Sequence, residues 1–119
     1  MKVAVSSEGK NPADQVDMRF GRCRGFIIFD SDSGRISYIE NHQEKEAVQG
    51  AGLQAAKTVI NAGADILISG NVGPKAFTAL TSAGMKIYLS GKSTVSEALN
   101  EFREGRLEPA TGASVESHW

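Results

Sequence analysis

Residues 64–90 read ADILISGNVGPKAFTALTSAGMKIYLS, and they constrain the architecture more tightly than any other stretch. Ala64–Ser69 is an apolar run of strand length, and Met85–Ser90 is a second one. Between them Pro74 stands where a first helical residue needs no N–H, and Gly84 stands where a helix stops. A strand, helix and strand joined this closely make a right-handed crossover between parallel strands. Both runs are mostly apolar, so helices must cover both faces of the sheet they join.

The flanking sequence extends the same pattern. Upstream, AGLQAAKTVINAG (residues 51–63) carries Leu53, Ala56, Val59 and Ile60 at helical spacing and stops at Gly63. Downstream, STVSEALNEFREG (residues 93–105) offers Thr94 as an N-cap, with Glu97 as its capping-box partner. At the start, KVAVS (residues 2–6) reads as a buried strand. GFIIFD (25–30) and RISYIE (35–40), joined through Asp32-Ser33-Gly34, read as a hairpin. The resulting order β, β, β, α, β, α, β, α predicts an α/β chain with a three-layer α/β/α architecture. A meander of three strands followed by crossover units gives a ribonuclease H-like motif and a five-stranded mixed sheet, one strand antiparallel to the rest. Residues 7–25 show no period and are expected to form a loop long enough to suggest function. The stretch after Leu107 has no period either, so residues 108–119 are expected to be a partly mobile tail.

The totals narrow the function classes. A chain of 119 residues is expected to be one domain. A formal net charge of −1 provides no overall attraction to nucleic acid or to an anionic membrane, so neither is an expected partner. No apolar run approaches the ~18 residues of a transmembrane helix. A single cysteine agrees with a reducing compartment, and the apolar beginning is too short for a signal peptide, so a cytoplasmic location is expected.

The chemistry gathers in DMRFGRCRGFIIFD, Asp17–Asp30. Arg19, Arg22 and Arg24 surround Cys23 at the mouth of a core strand. Guanidiniums offer forks of donors to an anion, and they should favour the thiolate of a neighbouring cysteine, a soft metal ligand. Phe20 is expected to anchor this loop and Gly21 to let it turn. Ser6 ends the first strand beside it. Gly70, Asn71 and Gly73 form a tight turn before a helix, where free amides attract anions. Gly50 and Gly52 begin another helix in the same manner, and His42 leaves the third strand toward that helix. Each feature also has an inert reading: a buried small hydrophobe at Cys23, solvated arginines, a ligand-free turn, a solvated histidine, core or loop packing for Met18. The terminal pair His118 and Trp119 says little.

Several enzyme chemistries drop out. A two-metal nuclease needs a carboxylate within the first strand, and KVAVS has none. Six positions after Cys23 stands Phe29, so a cysteine-phosphatase cradle is absent. No structural-zinc spacing or nucleophile elbow occurs. The expectation is that the chain is not an enzyme.

Taken together, SSEG (6–9), VDMRFGRCRGFIIFD (16–30), the block from Gly50 to Tyr88 and VSEALNEFREGRL (95–107) resemble the dinitrogenase iron-molybdenum cofactor biosynthesis family, the NifX/NifB-type accessory domains. The similarity runs from Met1 to about Leu107, so residues 1–107 are expected to be one cluster-binding domain. Some nitrogenase-associated members use a histidine near the FG block; here Arg19 precedes Phe20, a departure from that pattern, and the short chain resembles the small standalone members found outside nitrogen fixation. The resemblance implies a sheet of order 3-2-1-4-5 with strand 2 antiparallel. It implies a non-catalytic carrier of an anionic metal–sulfur cluster containing molybdenum or iron, whose partners are cluster donor or acceptor proteins. Ser6, Arg19, Phe20, Gly21, Arg22, Arg24, Gly50, Gly52, Gly70, Asn71 and Gly73 would surround that cluster, with Cys23 and His42 as candidate metal ligands. A small enzyme acting on a phosphorylated metabolite and a protein–protein adaptor with a vestigial cleft stand as alternatives.

Overall fold

A computed structural model of the chain describes residues 1–42 and 50–113. Its strands are β1 (Lys2–Ser7), β2 (Gly25–Asp30), β3 (Ile36–Glu40), β4 (Ile66–Ser69), β5 (Lys86–Leu89) and β6 (Glu108–Pro109). Its helices are α1 (Ala51–Asn61), α2 (Pro74–Ser82) and α3 (Val95–Arg103). Pro74 opens α2 as expected, with Gly73 as its N-cap. The capping box of α3 forms in full: the Glu97 amide donates to Thr94 Oγ1 at 3.1 Å, and the Thr94 amide donates to Glu97 Oε1 at 2.8 Å.

The six strands make one sheet of order β3-β2-β1-β4-β5-β6. β1, β4 and β5 are mutually parallel, as the crossover reading requires. β2 runs antiparallel to both β1 and β3. Alternation along each strand divides the interior in two. Ala4, Phe26, Ile28, Leu67 and Ile87 pack against α1 and α2 through Ala55, Ala56, Val59, Ala76 and Leu80. On the other face Val3, Val5, Ile27, Ile66 and Ile68 pack against Val95, Ala98 and Leu99 of α3. Three layers follow from these two apolar faces.

The expected count of five strands needs correction. Glu108–Pro109 is not tail but a short sixth strand, paired antiparallel with Leu89 and Tyr88, and the Ala110 amide extends it by donating to Ile87 O at 2.8 Å. β6 therefore runs with β2, and β2 is no longer the lone antiparallel strand. Two residues are too few to carry a periodic signal, and their pairing depends on a neighbour distant in sequence. The expected tail is thus anchored at its start. His118 and Trp119, like residues 43–49, lie outside the described residues. Among the described residues no helix is long and apolar enough to cross a membrane.

Candidate anion-binding site

β1, β4 and β5 end on the same edge of the sheet at which β2 begins and β3 finishes, because Ser7 pairs with Gly25 and Gly25 with Glu40. The long segment between β1 and β2 crosses this edge, and it is held at every step. The Asp17 amide donates to Ser6 O at 2.9 Å, and Ser6 Oγ donates to Asp17 O at 2.7 Å and lies within hydrogen-bond distance of Ser69 Oγ at 2.8 Å. Val16 donates to Ser93 O at 2.8 Å, and Val95 to Asp14 O at 2.9 Å. Arg19 forms a parallel bridge with Asn71, across which the Phe20 amide donates to Asn71 O at 3.2 Å and Asn71 Nδ2 donates to Met18 O at 3.0 Å. The loop expected from residues 7–25 is therefore an ordered cover, with a single 3-10 turn at Phe20–Arg22.

Phe20 anchors it as expected. Its side chain is fully buried, with its ring centroid 5.5 Å from that of Phe26. Gly70 lets the cover approach the end of β4: a Cβ there would stand 2.7 Å from Met18 Cα and 2.6 Å from its Sδ. The Gly70–Gly73 turn thus grips the loop through both backbone and side chain.

Beyond Phe20 the chain alternates. Arg22 and Arg24 are exposed, and Cys23 between them is fully buried. Arg19, Arg22 and Arg24 border an open cleft of about 600 Å³ with Glu8, Asp17, Cys23 and Asn41. Asp17 is the arginines' own counter-charge: its Oδ1 accepts the Arg19 amide at 3.0 Å and lies 3.6 Å from Arg19 Nε. Among the described residues neither Arg22 nor Arg24 forms an ion pair. Cations outnumber carboxylates, and two guanidiniums are available to an anion entering from solvent.

The thiolate expectation is overturned. Burial pushes the Cys23 thiol well above its ordinary value, and the Asp17 charge adds to the shift; backbone amides and Asn41 oppose it only in part. Its side chain joins the α1-side core with Phe20 and Phe26. The guanidiniums reach into water, where their charge is screened before it can favour a thiolate on the opposite side of the strand. The alternation Arg-Cys-Arg was itself a signal of this, since neighbours in an extended segment point to opposite sides.

The other expected site residues separate into two groups. Ser6, Phe20, Gly21, Gly70 and Asn71 form the support under the arginines. Gly50 is the exposed N-cap of α1, Gly52 lies in its first turn, Gly73 caps α2, and His42 is exposed beside Asn41; these four fall outside the cleft's lining. Among the described residues no three of histidine, cysteine, aspartate and glutamate gather to hold a bare metal ion. Glu8, Asp17 and Asn41 line the cleft without having been singled out. Asn41 is 7% exposed. Its Nδ2 donates to Cys23 O at 2.9 Å and Gly21 O at 3.2 Å, and its amide donates to Arg24 O at 3.1 Å.

The family model described as dinitrogenase iron-molybdenum cofactor matches residues 1–105. The apo form of the orange protein from Desulfovibrio gigas superposes with a TM-score of 0.89 at 36% identity, covering 96% of each chain. A Thermotoga protein provisionally named NifB superposes at 0.84 with 37% identity, covering 96% of this chain and 97% of its own. An uncharacterised protein of Methanocaldococcus jannaschii is 30% identical over 111 residues, 91% of this chain and 90% of that protein.

Proposed function

Because the chain belongs to the dinitrogenase iron-molybdenum cofactor family, we propose that it is a non-catalytic carrier of an anionic metal–sulfur cluster containing molybdenum or iron. The observation that carries this reading is the cleft bordered by Arg19, Arg22 and Arg24 on a loop already bolted to two strand ends. A soft, polyanionic cargo is poorly hydrated for its size, and preorganised guanidinium forks bind it without first ordering a loop. The neutral, inward-facing Cys23 favours a cargo held by charge and hydrogen bonds over one anchored by a thiolate bond. Such a hold is reversible, which suits transfer from a cluster donor to an acceptor protein. The fold neighbour from Desulfovibrio gigas is described in an apo form, in keeping with a removable guest.

Anaerobic reconstitution tests the reading. Protein mixed with tetrathiomolybdate and copper(I), or with iron and sulfide, should retain visible charge-transfer absorption through gel filtration. The double variant Arg22→Ala/Arg24→Ala should lose it. Absence of any retained absorption in the unaltered protein overturns the carrier reading, and turnover of phosphate esters abolished by Arg22→Ala would replace it with an enzyme.

A further inference from the structure

β3 is the open edge of the sheet. The opposite edge is the two-residue β6, whereas the longer Ile36–Glu40 pairs only with β2 among the described strands. The direction of its unused groups can be read from both ends. Arg35 O accepts from Asp30, and the Asn41 amide donates to Arg24 O, so residues 35, 37, 39 and 41 direct their main-chain groups inward to β2. Ile36, Tyr38 and Glu40 therefore direct theirs outward. Natural edge strands usually block such a row with proline, an inward-pointing lysine or a bulge. RISYIE has no proline or lysine, and its register with β2 is unbroken. Ile36, 47% exposed, is one of two large hydrophobic side chains left open among the described residues.

We propose that two copies of this chain pair antiparallel through β3, and that each copy supplies Arg35 to the arginine cleft of the other. This deepens the carrier reading at the same site and rests on it for the identity of the guest. The register follows from geometry. A twofold axis perpendicular to a continuous sheet keeps each side chain on its own face, and the outward groups of residues 36, 38 and 40 must meet one another. The pairing that engages all of them sets Tyr38 opposite Tyr38 of the second copy and Ile36 opposite Glu40. It sets Ser37 opposite Ile39 and Arg35 opposite Asn41. No like charges face each other.

The last of these pairs makes the site composite. Asn41 lines the cleft, and its Oδ1 is buried with no hydrogen-bond partner, although its Nδ2 is fully engaged. Arg35 is exposed and forms no ion pair among the described residues. Directly opposite residues on paired strands have Cβ atoms about 5 Å apart, within easy reach of a guanidinium. Arg35 of the second copy would thus stand beside Asn41 and add a fourth cation near Arg24, where a polyanion would rest.

Three measurements test the pairing. Sedimentation of the unaltered protein should give twice the monomer mass, and Ile36→Glu, an exposed change that sets carboxylates opposite Glu40 across the pair, should return it to the monomer. Tyr38→Cys should form a disulfide-linked dimer on mild oxidation that reductant reverses, because residue 38 faces its own copy; Ile36→Cys alone should not. Arg35→Ala should remain dimeric yet bind tetrathiomolybdate about tenfold more weakly. A monomer at every concentration, or a dimer that Tyr38→Cys fails to cross-link, overturns the proposal. So does a dimer whose tetrathiomolybdate affinity ignores Arg35→Ala while Arg22→Ala lowers it. If neither substitution matters, the carrier reading falls as well, which separates the two failures.

Discussion

Asn71 holds Met18 and Phe20 at once: its carbonyl accepts the Phe20 amide at 3.2 Å and its Nδ2 donates to Met18 O at 3.0 Å. This one residue of the β4–α2 turn joins the parallel half of the sheet to the segment carrying the arginines. The clasp fixes that segment against the end of β4.

Removing the side-chain half of the clasp tests this. Asn71→Ala leaves the backbone bond in place but strips a partner from Met18 O, so it should cost about 1 kcal/mol of stability by urea denaturation. Cluster retention should fall further than that loss of stability explains, since the arginines lose their fixed spacing. Unchanged retention would leave Asn71 a purely structural residue.

Gly70→Ala is expected to be more damaging. The new Cβ would meet Met18 Cα at 2.7 Å, a main-chain atom that no rotamer change moves aside. The cover must lift from β4, at a cost of about 1–3 kcal/mol. Amide exchange should speed up at Phe20 and Asp17 before it does so in β4 itself. A fully native exchange pattern in this variant would contradict the described packing.

Arg22→Ala and Arg24→Ala should separate binding from folding. Both side chains are exposed, so each variant should stay within about 0.5 kcal/mol of the unaltered protein. Cluster retention should drop in each. In the unaltered protein it should weaken as salt is raised, because exposed charges are screened. Retention indifferent to salt argues against an electrostatic hold.

Cys23 gives a prediction in pH. Its thiol is raised above the ordinary value of 9.0 by burial, so the folded state keeps a proton that the unfolded chain gives up. Stability should be fully present below that value and should decline above it, by up to about 1.4 kcal/mol per pH unit. Denaturation curves between pH 8 and pH 10 should show this slope, and Cys23→Ala should flatten it (the pH range is roughly that of thiol titration). A thiol reagent at pH 8 should modify the unfolded chain far faster than the native one. Rapid labelling of the native protein would restore Cys23 as an exposed ligand.

Much of this was legible in the residue order. Pro74, Gly84 and the capping pair Thr94 and Glu97 announce their helices through local chemistry. The mostly apolar runs 64–69 and 85–90 announce the parallel strands β4 and β5. Adjacent arginines marked the site, since a side chain's charge is a property of its type. Other features depend on which distant segments meet. Glu108–Pro109 is a strand only because Tyr88 and Leu89 lie beside it, and Asn41 joins the cleft only because β3 returns along β2 to Gly25. The state of Cys23 was decided in the same way: its neighbours in sequence are cations, but its neighbours in space are Phe20, Phe26 and the Asn41 amide. Composition and periodicity determine what each segment can form by itself. Burial, partner and protonation arise from contacts across the fold, and those the tertiary structure alone decides.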